Sequence, residues 1–168
     1  IRKKMSDILT KICKIKKKEL ESLNNNQDFV GIKRKTKVRD FLSKLKNDNN
    51  FNYNVIAEIK RASPSKGVIC EDFDPIKIAK DYEKAGAACL SVLTEKTFFQ
   101  GDLTILKSIK NLIRIPILRK DFIIDEWQIY ESYYNEADCI LLIVAALSDS
   151  ELSLFYNIAK KLKLDVIV

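Results

Sequence analysis

Five short apolar runs mark the second part of the chain, at residues 55–60, 89–94, 115–120, 139–144 and 165–168. They recur roughly every 25 to 35 residues, the length of a strand plus its crossover helix. Each gap between runs carries an amphipathic pattern with its own start signal. Asp74-Pro75 supplies an N-cap and a first-turn proline, and Gly86 stops that helix. Gly101-Asp102 precedes Leu103, Leu106, Ile109 and Leu112 at helical spacing. Asp125 stands before Trp127, Ile129 and Tyr130, and Ser148 with Glu151 forms a capping box. Upstream, Ile8, Leu9, Ile12, Ile15, Leu20 and Leu23 predict a helix over 6–23 that Asn24-Asn25-Asn26 ends. A second helix is predicted over 38–45, followed by a polar connector at 47–54.

Continuous apolar strands that alternate with helices predict a parallel sheet covered by helices, either doubly wound or a (β/α)8 barrel. The chain has four glycines, none in a dinucleotide-binding array. Charges sit at the C-terminal ends of two runs: Glu58 and Lys60, then Lys120 and Asp121. Strand side chains alternate faces, so Glu58 and Lys60 share one with Ile56, and Lys120 shares one with Leu118. In a TIM barrel such inward charges converge on one mouth, the face where these folds do chemistry. Only five runs are present where a barrel has eight strands. The expectation is therefore a helical extension over 1–54 and a partial barrel over 55–168, truncated after about five strands.

Composition then removes whole classes of chemistry. With 168 residues, 46% of them hydrophobic, the chain can bury one core. No apolar run is long enough to span a bilayer, and the N-terminus has no apolar signal core, which predicts a cytoplasmic protein with no membrane partner. Cys13, Cys70, Cys89 and Cys139 lack metal-ligand or redox spacing and are predicted to be buried free thiols. Histidine is absent, so acid–base work falls to Lys, Glu and Asp, and no metal site built on histidine can exist. Residues 1–46 carry 15 Lys/Arg against 5 Asp/Glu, the remainder 15 against 18. This basic arm lacks the interleaved aromatics of a nucleic-acid platform, so a solvated helix face with no nucleic-acid partner is predicted.

The segment Val-Ile-Ala-Glu-Ile-Lys-Arg-Ala-Ser-Pro-Ser-Lys-Gly-Val-Ile, residues 55–69, resembles the signature of the indole-3-glycerol phosphate synthase family of tryptophan biosynthesis. The likeness continues through Asp72-Phe73-Asp74-Pro75, Leu90-Ser91-Val92-Leu93-Thr94, Phe98-Phe99-Gln100-Gly101, Leu118-Arg119-Lys120-Asp121-Phe122 and Leu141-Leu142-Ile143-Val144-Ala145. It implies a ribulose-phosphate-binding barrel with an N-terminal helical extension. The implied reaction, a carboxy-lyase activity, is ring closure of 1-(2-carboxyphenylamino)-1-deoxyribulose 5-phosphate with loss of carbon dioxide and water. No cofactor or metal is implied. Position by position, Lys120 resembles the general acid, Lys60 a second essential lysine, and Glu58 the carboxylate that pairs with them. Ser63 resembles a substrate-contacting hydroxyl, and Phe99 and Phe122 the walls of an aromatic slot that Leu141 or its neighbours could complete. Ala62 stands where some members carry lysine, so no charge role transfers there.

Residue chemistry by itself leaves other readings open. Glu58 and Lys60 could form an ion pair with no further role, Lys120 could snorkel from a rim, and Phe99 and Phe122 could be core. Arg61, Arg119 and Asp121 could simply brace loops. The competing functions are a non-catalytic half-barrel binding or assembly module, another ribulose-phosphate-binding enzyme such as phosphoribosylanthranilate isomerase, or a nucleic-acid binder acting through the basic arm. The resemblance places further site residues beyond Val168, so the chain alone is expected to be an inactive fragment. It leaves room for fusion to, or association with, other tryptophan-pathway enzymes.

Overall fold

The computed structural model describes residues 7–23, 33–46 and 53–168. Two helices come first, α1 (Asp7–Leu23) and the short α2 (Phe41–Lys46). Then follow β1 (Ile56–Ile59), a small hairpin of β2 (Ala62–Ser63) and β3 (Gly67–Val68), α3 (Pro75–Lys84) and β4 (Cys89–Leu93). The remainder is α4 (Thr104–Lys110), β5 (Ile117–Lys120), α5 (Trp127–Tyr134), β6 (Cys139–Leu141), a 3-10 turn at Val144–Ala146, α6 (Asp149–Lys161) and β7 (Asp165–Ile167). Five strands form one wholly parallel sheet in the order β1-β4-β5-β6-β7, each joined to the next through a helix. The order is sequential, with no switch point, so the barrel-type expectation holds over the doubly wound one.

The start signals act as the sequence predicts. Asp74 accepts from the amides of Ile76 and Lys77, both at 3.0 Å, and Ser148 and Glu151 make the full capping box. Asp125 accepts from the Trp127 amide at 2.8 Å, although the helical cap position falls on Glu126. The run at 139–144 stops early as a strand: β6 ends at Leu141 and the chain turns into the 3-10 segment. The asparagine stop at 24–26 and most of the 47–54 connector lie outside the described residues.

Side-chain alternation gives the sheet two different faces. Ala57, Ile59, Leu90, Val92 and Ile117 pack under α3 and α4, and Ile140 packs under α5 and α6. On the opposite face Phe41, from α2, is fully buried against Cys89, Leu118 and Cys139. The thiols are free but not equally enclosed, which corrects the uniform expectation: Cys89 and Cys139 are buried, whereas Cys13 and Cys70 are only half-buried. The former two open strands inside the sheet; Cys13 lies on α1 and Cys70 in the loop after β3. Burial pushes the Cys89 thiol up to about 12 and raises that of Cys139 as well.

The segment before β1 is fastened by buried carboxylates. Asp138, wholly buried, accepts from the Lys110 ammonium, from Arg34 at 3.2 Å, and from the amides of Arg39 at 2.8 Å and Ile117 at 2.9 Å. Asp165 receives the amides of Phe41 at 2.8 Å and Leu42 at 3.1 Å, which seats the first turn of α2 under the sheet. Removing one partner from a buried ion cluster leaves the others uncompensated, at a cost of about 3–5 kcal/mol. Asp138→Ala is therefore expected to lower unfolding free energy by about that much in urea titration. Lys160→Ala, which removes an exposed ammonium 3.6 Å from Asp165, should cost about 1 kcal/mol or less. Equal effects from the two would contradict the role assigned to Asp138.

Candidate active site

The alternation that buries Ala57 and Ile59 turns Glu58 to the other face of β1. There Glu58 meets two ammonium groups. Lys60 Nζ lies 2.5 Å from Oε1 and Lys120 Nζ lies 3.5 Å from Oε2. β1 and β5 are not neighbours, since β4 runs between them. Glu58 is level with Ser91, whereas Lys120 is level with Leu93, one pleat nearer the strand ends. Two strand spacings amount to roughly 10 Å, a gap that the two long side chains close together. The three charges predicted to converge do so at the C-terminal ends of the strands.

The aromatic pair stands beside this trio. The Phe99 and Phe122 centroids are 6.2 Å apart with a 33° tilt, and Lys120 Nζ lies 5.8 Å from the Phe99 centroid, within cation–π range. Leu141, half-buried, belongs to the cluster on the same side of the sheet as Cys89 and Leu118. Ser63 sits in the β2–β3 hairpin, next to the Ala62 amide that donates to the Phe99 carbonyl at 3.2 Å. The hairpin is thus joined to the aromatic loop through backbone. Gly67, at φ +64, makes its turn in a conformation that favours glycine.

Two buried carboxylates that sequence reasoning assigned no site role hold the loops. Glu95, 1% exposed, accepts from the amides of Thr97 at 3.0 Å, Phe98 at 2.7 Å and Phe99 at 3.1 Å. Gly101 closes the same loop, where a Cβ would lie 2.3 Å from the Leu93 carbonyl oxygen. Asp121 accepts from Thr94 at 2.7 Å, Arg119 at 3.1 Å and the Phe122 amide at 2.8 Å, and pairs with Lys16 of α1 at 3.4 Å. Arg119 also pairs with Glu131 at 2.8 Å. Arg119 and Asp121 therefore brace β5 on the helix side, while Lys120 between them faces the site. An arginine at an apolar-face position of a strand was the available signal for this network; Lys16 gave none.

Electrostatics follow the geometry. Partial burial pushes the Glu58 carboxyl up, but the Lys60 hydrogen bond and the charges of Lys120 and Lys60 outweigh it and hold the group below the usual carboxylate range. For Asp121 burial is again the largest influence, and Arg119 and Lys16 reverse it.

A family model described as indole-3-glycerol phosphate synthase matches residues 9–168. The chain belongs to the indole-3-glycerol phosphate synthase family. It is 48% identical over 167 residues to the protein of that name from Acetivibrio thermocellus, covering 96% of this chain and 64% of that protein. It is 48% identical over 166 residues to that of Legionella pneumophila (strain Lens), covering 98% and 64%. The Acidovorax sp. (strain JS42) protein is 46% identical over 173 residues, covering 98% and 65%. The chain thus spans just under two thirds of the length of these indole-3-glycerol phosphate synthases.

Cavity size alone would point elsewhere. A cleft of about 770 Å³ opens at the opposite end of the strands, lined by Arg34, Lys37, Arg39, Lys160 and Lys163 among others. Its two guanidinium groups already donate to backbone carbonyls, Arg34 to Tyr133 and Ala137, Arg39 to Lys110 and Ile115. Glu58 and Lys60 instead line a smaller cavity of about 350 Å³ with Ile78 and Tyr82 of α3. No helix among the described residues is long and apolar enough to cross a membrane.

Because the folded-state pKa of Glu58 is lowered, its contribution to stability is present above the ordinary carboxylate range and is lost as pH falls through the lowered midpoint. Carboxyl ¹³C NMR should show Glu58 titrating below a model carboxylate, and Lys60→Met or Lys120→Met should each move that midpoint upward. An unchanged midpoint in both variants would mean that the lysines do not act on Glu58.

Proposed function

We propose that this chain carries the acid–base centre of an indole-3-glycerol phosphate synthase acting on 1-(2-carboxyphenylamino)-1-deoxyribulose 5-phosphate. The observation that carries the reading is one carboxylate held between two ammonium groups at the strand ends, beside a pair of phenylalanine rings. The family membership of the chain supports it.

The reaction needs each of these parts. The aryl carbon that bears the carboxylate attacks the sugar carbonyl carbon, and the carbonyl oxygen takes a proton from Lys120. The bond to carbon dioxide then breaks and its electron pair restores the aromatic ring. The new hydroxyl is protonated and leaves as water, while the neighbouring carbon attached to nitrogen gives up a proton. Lys60 meets the substrate carboxylate and serves the dehydration, and Glu58 passes protons between the ammonium groups. Phe99 and Phe122 flank the aryl ring, with Leu141 beneath it, and Ser63 approaches the substrate from the hairpin. No metal or organic cofactor enters this scheme. Such an enzyme would work in the cytoplasm on a small phosphorylated substrate, without nucleic acid or membrane as partner.

The test joins residues 1–168 to the C-terminal third of the Acetivibrio thermocellus relative and follows indole-3-glycerol phosphate fluorescence. Ring closure is expected, and Lys120→Ala should lower turnover by about 10²-fold or more, the scale of losing a positioned general acid. Unchanged turnover in Lys120→Ala would remove that residue from its role. A hybrid that folds but forms no product would remove the reading itself.

A further inference from the structure

Ser91 occupies the middle of β4 between Leu90 and Val92, both fully buried in the core beneath the helices. Alternation therefore turns Ser91 to the site face. It is level with Glu58 on one side and Leu118 on the other, one pleat below the level of Lys120. The residue is 4% exposed, and its hydroxyl has no hydrogen-bond partner among the described residues. It is the only buried side-chain polar atom of that kind among the described residues. Both oxygens of neighbouring Glu58 are taken by Lys60 and Lys120.

Enclosing a hydroxyl without a partner is unfavourable, and alanine would fill the same space without that cost. A serine here makes sense where its hydroxyl has a partner from outside the chain. We propose that Ser91 is a binding residue at the floor of the site, whose hydroxyl bonds a second hydroxyl-type oxygen set between Glu58 and Lys120. That oxygen belongs either to an ordered water or to a sugar hydroxyl of the substrate. The substrate form of the proposal rests on the ring-closure reading; the water form does not. Either partner would sit one strand spacing, roughly 4.8 Å, from the Glu58 strand, where it can also donate to the carboxylate.

Ser91→Ala separates these cases through three measurements: the urea midpoint, the Glu58 carboxyl titration, and binding of two ligands. The ligands are anthranilate, which has no sugar hydroxyl, and the full arylamino-ribulose phosphate. If a water is the partner, the variant raises the Glu58 midpoint and does not gain stability, with or without ligand. If a sugar hydroxyl is the partner, the variant binds the full substrate about tenfold more weakly, the scale of one hydrogen bond, while anthranilate binding is unchanged. A variant that gains stability, leaves Glu58 unmoved and binds both ligands as the parent does would overturn the proposal while leaving the ring-closure reading intact. If the parent chain binds neither ligand, the functional reading fails for this chain. The stability and titration measurements then decide the role of Ser91 by themselves.

Discussion

Strand alternation is the constraint on which this molecule depends. A strand in a parallel sheet must satisfy two environments at once, and β1 and β5 do so residue by residue. Ala57, Ile59 and Ile117 go to the helices. Glu58 and Lys120 go to the other face, where their charged ends meet and stay about one third exposed. A one-residue slip in the register of β1 would bury Glu58 beneath α3 and expose Ile59, so the core that holds the sheet also fixes where the charges point. The site is thus a by-product of the packing, and its precision comes from the sheet rather than from the charges.

What the strands cannot fix, buried carboxylates do. Glu95 gathers three successive amides and so sets the path of the Phe99 loop. Asp121 holds the Phe122 amide and receives Lys16 from α1. Asp138 and Asp165 perform the equivalent task at the other end of the strands for the segment leading to α2. Each group is charged and buried, so each is costly unless all its partners are present. The helices before β1 are thereby tied to the sheet at both ends, at one end through the same residue that orders the aromatic wall.

Much of this could be read from sequence, for definite reasons. The βα rhythm and the caps at Asp74 and Ser148 are local signals and survive folding unchanged. Glu58, Lys60 and Lys120 stood out because charge on an apolar strand breaks its pattern. Glu95 and Lys16 did not stand out, because a charge in a loop or on a basic helix breaks no pattern; only the tertiary fold shows them buried. The early end of β6 was hidden too, since Leu142 and Ile143 remain apolar after the strand has ended and Leu142 is still core. Ser91 lay inside a recognised motif, but its lack of a partner among the described residues is a property of three dimensions.

Under the proposed function an anionic arylamino sugar phosphate binds at the Glu58–Lys60–Lys120 end of the strands. The opposite end carries a larger and more basic cleft, the alternative place for such a ligand to bind. The most direct test is ¹⁵N NMR of the lysine ammonium groups of residues 1–168, recorded while that substrate is added. The Lys60 and Lys120 signals are expected to shift in a saturable way, and those of Lys160 and Lys163 to stay in place. Saturable shifts confined to Lys160 and Lys163 would contradict it.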